Sequence, residues 1–265
     1  MEYTQFLQKS LSEVAEIARS EFGHVASTVK EGDPNQVLTQ TDQEIGRVLI
    51  EKISSSFPND SIIDEEAGII KRDTNRIWVV DPIDGTSNFA NGVPTYGVML
   101  GLLENNIPVA GGIALPQFDA IYVAEKGKGA FRNGERIQST GESDLLKILM
   151  GYGIDGNHND PEKTREEAII WANLVLAVRN MRSSNSVFDL CMVAEGRYGA
   201  FLNRTSKIWD NVAPQVVLIE SGCLYTDYWG AEIDYSNPFE NVQNNFTVCT
   251  APPELHKKIQ EIVHT

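Results

Sequence analysis

A buried strand that ends in carboxylates constrains this chain more than any other feature. Arg76-Ile77-Trp78-Val79-Val80-Asp81 has strand composition and stops at Pro82. Asp84 follows three residues after Asp81, Gly85 allows a tight turn, and Thr86-Ser87 can open a helix. Two carboxylates at the end of a rigid strand suit Mg²⁺, a hard cation that prefers oxygen ligands. A helix start directly beyond them offers free N–H groups to a phosphate. Together these outline a phosphoryl-transfer site. An isolated Asp-x-x-Asp-Gly string is more often a solvated turn, so the other acids decide. Ile62-Ile63-Asp64-Glu65-Glu66 is a short apolar strand ending in three acids, which repel one another unless a cation is near. Ile208-Trp209-Asp210 places an acid at the start of an apolar helix, where alone it reads as a cap.

The segments around these acids read as alternating elements. Leu7, Leu11, Val14, Ala15, Ala18 and Phe22 share one face of a long helix. Thr41 or Asp42 caps a second helix, with Ile45, Val48, Leu49 and Ile53 inward, ending at Pro58-Asn59. Residues 96–103, 107–115 and 121–125 predict an antiparallel meander, turned at Glu104-Asn105-Asn106 and Pro116-Gln117-Phe118-Asp119; Asn133-Gly134 marks another hairpin. Beyond residue 143, short strands near 148–152, 199–202, 223–226 and 246–249 alternate with helices near 161–176, 186–195, 210–221 and 253–263. The expectation is an α/β (α+β) chain in two halves. Residues 1–143 form an antiparallel-sheet half carrying the Asp81–Asp84 segment, and residues 144–265 an α/β half carrying Asp210 and a substrate pocket. The active site lies at their junction.

With 22 Lys and Arg against 37 Asp and Glu, the formal net charge is −15. Such a surface argues against nucleic-acid polymers and anionic membranes as partners. An anionic substrate then needs a cation at the site. Cys191, Cys223 and Cys249 are widely spaced and form no metal or redox motif, which fits reduced core cysteines. No apolar stretch is long enough to span a bilayer, and Met1–Gln5 lacks the pattern of a signal peptide. The expected address is the cytoplasm.

Trp78 to Phe89 closely resembles the first signature of the inositol monophosphatase family. Trp209-Asp210-Asn211-Val212-Ala213-Pro214, running to Ser221-Gly222, resembles the second. Asp64-Glu65-Glu66 resembles the family's Gly-Glu-Glu segment, and Gly127 to Gly134 is also similar. Haloacid-dehalogenase-type phosphatases carry Asp-x-Asp-Gly-Thr, one residue shorter than the spacing here, and that reading is rejected. The resemblance implies a layered α-β-α-β-α fold and a homodimer. It implies a Mg²⁺-dependent, lithium-sensitive phosphatase binding two or three ions. Glu65, Asp81 and the Ile83 carbonyl match ligands of one ion; Asp81, Asp84 and Asp210 match ligands of a second. Gly85 and Thr86 match phosphate-binding backbone, and Asp42 matches an acid paired with the Thr86 hydroxyl, which orients the attacking water. Glu66 matches the family's second glutamate, behind the ligands.

The implied function is hydrolysis of a small phosphorylated polyol, inositol monophosphate first, by metal-activated water. The pocket departs from the family. Asn203 stands seven positions before Asp210, where the resemblance implies an acid, and Arg182-Ser183-Ser184-Asn185-Ser186 replaces a Gly-Ser/Thr-Ala turn. Ser184, Asn185 and Asn203 are the candidate substrate residues, with Asp84, Gly85 and Thr86 at the phosphate. Arg179 and Arg182 fit surface pairs better than a second anion site. Fructose 1,6-bisphosphate, histidinol phosphate and 3′-phosphoadenosine nucleotides remain alternative substrates, and a catalytically idle regulatory member is the alternative of another class.

Overall fold

The computed structural model describes residues 3–24, 27–29 and 37–264. Helix α1 (Tyr3–Glu21) precedes a ribbon of β1 (Ser27–Val29) and β2 (Val37–Thr39), then α2 (Gln40–Ser56). The larger sheet holds β3 (Ser61–Asp64), β4 (Gly68–Ile70), β5 (Arg76–Asp84), β6 (Gly97–Glu104), β7 (Ile107–Leu115), β8 (Ala120–Glu125), β9 (Gly129–Arg132) and β10 (Glu135–Ile137), with the short helix α3 (Thr86–Ala90) after β5. Its spatial order is β10-β9-β8-β7-β6-β5-β3-β4, antiparallel throughout except for the parallel pair β3 and β5. The smaller sheet orders β12 (Asn180–Arg182), β11 (Leu149–Gly153), β13 (Ala200–Ser206), β15 (Phe246–Ala251) and β14 (Leu224–Thr226). Its helices are α4 (Pro161–Ala177), α5 (Val187–Ala194), α6 (Ile208–Glu220) and α7 (Pro253–Val263).

These elements stack in five layers. Helices α1 and α2 cover one face of the larger sheet, α5 and α6 lie between the sheets, and α4 and α7 cover the outer face of the smaller one. The α-β-α-β-α sandwich explains the apolar runs. On β5, Trp78 and Val80 pack toward α1 and α2, while Ile77 and Val79 pack toward Val212 of α6. A strand buried on both faces must be apolar at every position. On α1, Leu7, Leu11, Val14 and Ala18 are inaccessible, and each large side chain so buried contributes about 1.5–3 kcal/mol. Asn105 and Asn106 turn the β6–β7 hairpin with φ of 53° and 63°, the left-handed pair such turns need.

Several expectations need correction. Strand β5 does not stop at Pro82 but runs on to Asp84. Helix α2 is capped by Thr39 rather than by Thr41 or Asp42, and it ends at Ser56. Helix α6 begins at Ile208, which puts Asp210 inside its first turn. Strands β1, β2, β4 and β12 have three residues each, too few for a period to register in the sequence. All three cysteines are free and buried. Among the described residues no helix is long and apolar enough to cross a membrane.

The position of α6 depends on two glycines. A Cβ at Gly101 would lie 2.7 Å from Val212 Cγ1, and one at Gly111 would overlap the Ala213 carbonyl. Their absence lets the α6 backbone rest on β6 and β7. The substitution Gly111→Ala should therefore lower stability by about 1–3 kcal/mol through overpacking. It should also depress turnover, since Asp210 moves with the helix. Urea unfolding midpoints and phosphate release measured side by side check both effects.

Candidate active site

The ladder between β5 and β6 slips at the end of β5. Asp81 pairs with Met99 and Asp84 with Gly97, so three steps on β5 match two on β6. In a regular strand, residues three apart point to opposite faces; the extra residue turns both carboxylates to one side. Pro82 sits inside the slip, where a missing N–H is tolerated. Strand β3 runs parallel beside β5, and its pairing continues into Glu65, whose N–H donates to the Val80 carbonyl at 3.2 Å. From the middle layer comes Asp210, whose carboxylate accepts the Lys207 N–H at 2.5 Å in the first turn of α6. Oxygens of Asp81, Asp84 and Asp210 lie within 4.8 Å of one another. Glu65 lines the same cavity, outside that tight trio. Asp81 is 1% exposed, and its Oδ1 meets no hydrogen-bond donor among the described residues. A buried, donorless oxygen within an all-oxygen set fits a hard cation, and the cluster could hold a metal ion.

Gly85, at φ 79°, caps α3 in the left-handed conformation, and a Cβ there would lie 2.9 Å from Ser186 Cβ. Only glycine satisfies both limits. The next residue, Thr86, holds its hydroxyl 2.8 Å from the Ile83 carbonyl and 3.2 Å from Asp42 Oδ1. Asp42 arrives from α2, where its other oxygen accepts the Thr39 N–H at 2.9 Å and the Thr39 hydroxyl. The same carboxylate thus completes the α2 cap and touches the Thr86 hydroxyl.

Burial sets the charge states here. It pushes Asp81 well above the usual carboxylate range, and the charges of Glu65, Asp84 and Asp210 push it further. Burial also raises Asp84 strongly, with Asp210 next and the Val187 N–H opposing. Asp210 is raised to about 6 by burial, against the Lys207 N–H and a carboxyl–carboxyl hydrogen bond with Asp81. Asp42 is also raised to about 6 by burial, against its bonds from Thr39.

The sequence model of the inositol monophosphatase family matches residues 1–265. The chain belongs to this family. It is 29% identical over 259 residues to inositol monophosphatase 1 of Bos taurus, covering 94% of this chain and 91% of that one. It is 32% identical over 232 residues to a protein of Aquifex aeolicus named fructose-1,6-bisphosphatase/inositol-1-monophosphatase, covering 82% and 86%. A solved structure of an IMPase from Thermotoga maritima superposes with a TM-score of 0.86 at 26% identity, over 100% of this chain and 97% of that one. As a member of the family the chain is a phosphatase, a hydrolase of small phosphorylated substrates.

The cavity of this inositol monophosphatase family member measures about 280 Å³. Glu65, Asp81, Ile83, Asp84, Gly85, Thr86, Asn185, Asn203 and Asp210 all line it. Asp42 stands behind Thr86, and Ser184 stands behind Ser186, its hydroxyl 3.0 Å from the Ser186 hydroxyl. Arg179 and Arg182 are exposed and do not line the cavity. Among the polar lining residues that the sequence reading did not assign to the site are Asp155, Ser186, Thr205, Ser206 and Lys207. Asp155-Gly156 looks like a turn dipeptide. The only signal was its place just past a strand of the parallel part of the smaller sheet, at the end where ligands bind.

The raised values have a measurable consequence. A carboxyl whose folded value exceeds its ordinary 3.8 binds its proton more tightly folded than unfolded. The contribution of Asp42 and Asp210 is therefore largest near pH 4 and is lost as pH rises through about 6. For Asp42 the loss is on the order of 2–3 kcal/mol. Thermal melts in EDTA should show Asp42→Asn flattening the fall in Tm between about pH 4.5 and 7.5. MgCl₂ should raise Tm at the higher pH and do little at the lower, where the carboxyls keep their protons.

Proposed function

We propose that the chain is a Mg²⁺-dependent phosphomonoesterase acting on a small phosphorylated polyol, inositol monophosphate first. The observation that carries this reading is the strand slip that turns Asp81 and Asp84 to one side, against Asp210 and beside Glu65. In this reading Glu65, Asp81 and the Ile83 carbonyl would hold one ion, and Asp81, Asp84 and Asp210 would hold a second. Bound there, Mg²⁺ would supply Lewis acidity and positive charge for the reacting oxygens. The protein's own part is positioning. Thr86 donates its single hydroxyl proton to Asp42 or to the Ile83 carbonyl, so its lone pairs are left to accept a proton from a water in the cavity. The first N–H groups of α3, at Gly85 and Thr86, lack helical partners and bind phosphate oxygens. Charge on a transferring phosphoryl group is spread over its oxygens, so orientation and electrostatics do most of the catalysis.

Inositol monophosphate ranks first because the bovine relative carries that name over nearly the whole chain. The double name of the Aquifex relative favours fructose 1,6-bisphosphate as the second reading. Against it, no arginine lines the cavity among the described residues, and the Lys207 ammonium there donates to the Gln243 carbonyl at 2.7 Å. Among the described residues that line the cavity, a second phosphate finds no unengaged cation. The presence of all four acids counts against a catalytically idle member. The family resemblance also supports a homodimer and lithium sensitivity, and the sequence reading supports a cytoplasmic address and halves 1–143 and 144–265.

Phosphate release from myo-inositol 1-phosphate, fructose 1,6-bisphosphate, histidinol phosphate, 3′-phosphoadenosine 5′-phosphate and β-glycerophosphate, with Mg²⁺ and with EDTA, tests the reading. Inositol 1-phosphate should lead, and EDTA should abolish release. Asp81→Asn should cost about 10³-fold or more in kcat while leaving the fold intact, because it removes a carboxylate shared between ions. Substantial turnover by that variant at saturating Mg²⁺ would sink the assignment.

A further inference from the structure

We propose that Asn88 is a positioning residue that fastens the cavity wall built by residues 184–187 to the phosphate end, and so fixes the span that a bound ester must fit. The inference rests on the phosphatase reading above and adds to it the side chain that sets the span of the pocket.

The segments 84–88 and 184–187 meet in an antiparallel register. The Asp84 carboxylate accepts the Val187 N–H. Gly85 comes so near Ser186 that a Cβ on it would lie 2.9 Å from Ser186 Cβ. Asn88 donates to the Ser184 carbonyl at 2.7 Å. Gly85 and Asn88 are three residues apart, on one face of the first turn of α3. Bare backbone at Gly85 therefore admits the second segment, and the amide at Asn88 holds it. Asn88 also donates to the Thr95 carbonyl at 2.7 Å, at the approach to β6. Both partners are carbonyls, which only accept, so the nitrogen end of the amide faces them and both its protons are committed. One side chain thereby joins α3, the loop before β6 and the loop before α5.

Ser184 is held by its own helix as well. Its N–H donates to Asp189 Oδ2 at 2.8 Å, and Asp189 is buried in α5. The next residue, Asn185, takes the left-handed φ of 51° and pairs its amide with both backbone groups of Ile154, accepting the N–H at 3.1 Å and donating to the carbonyl at 2.9 Å. A chain of contacts thus runs from α3 through Asn88, Ser184 and Asn185 to residue 154, and both asparagines line the cavity. Without Asn88, Asp84 stays tied to Val187, so the far end of the register loosens while the acids keep their places. A misplacement of about 1 Å can cost about 10²-fold in rate when it misaligns a bound group. An ester whose alcohol spans the cavity feels that error, and one whose alcohol is small feels much less of it.

The test measures kcat and KM for myo-inositol 1-phosphate and β-glycerophosphate in the full chain and in Asn88→Ala, with the Mg²⁺ dependence of turnover and hydrogen exchange across residues 183–190. The expected loss in kcat/KM is about tenfold for the inositol ester and under about threefold for the glycerol ester. The Mg²⁺ midpoint should stay unchanged, and exchange should quicken in 183–190 but not in α1. Asn88→Asp, equal in shape but without amide protons to donate, should reproduce the split between the esters, which a packing role would not; it also stands in if the alanine variant does not fold. Equal losses on both esters, a shifted Mg²⁺ midpoint or unchanged exchange in 183–190 would overturn the proposal and leave the phosphatase reading standing. If the wild-type chain hydrolyses neither ester, that reading falls. Exchange then decides on Asn88: the fastening role falls too unless 183–190 opens in the variant.

Discussion

Mutual repulsion among buried carboxylates is the constraint around which this molecule is arranged. Asp81, Asp84 and Asp210 come from a strand end and from a helix in another layer; burial penalises all three, and the charges beside Asp81 and Asp84 penalise those two further. The scaffold imposes the arrangement: a one-residue slip aims two acids the same way, and a helix seated on bare glycine backbone brings the third. Energy spent on crowding like charges is recovered when a cation enters. Affinity for the ion and the cost of the empty cluster are therefore two faces of one term.

Much of the fold was legible because burial on two faces leaves a strong imprint. Strand β5 and the meander after it read directly from apolar runs and turn residues, and α1 from its single apolar face. The first signature carried the site for the same reason, since acids closing an apolar strand are conspicuous. What failed to register was local geometry without a compositional mark. Proline at position 82 reads as a stop, yet a slip in the ladder accommodates it. Thr39 precedes the apparent helix start, and its capping role shows only through Asp42 three residues on. Three-residue strands have no period to read.

The substrate end of the cavity shows a different limit. Asn185 and Asn203 were conspicuous because they stand where a resemblance leads the eye, and both do line the cavity. Their hydrogen bonds, however, turn inward to the backbone and to Asp155. Which polar atoms are consumed by the scaffold and which face a ligand depends on pairing between strands fifty residues apart. A linear reading cannot supply that count.

Helix α6 lies between the two sheets, and most of its residues, from Ile208 to Leu218, are buried. It has little room to open without separating the sheets, so its amides should exchange with solvent only as fast as the whole protein unfolds. The 154–155 segment is half-buried at the rim of the cavity, tied by side-chain hydrogen bonds from Asn185 and Thr205, and it can open without separating the sheets. The two ends of one cavity therefore differ in how much of the fold must open with them. Substitutions at the rim can redirect substrate choice over evolutionary time without loosening Asp210, whereas a change that loosens Asp210 puts the entire fold at risk.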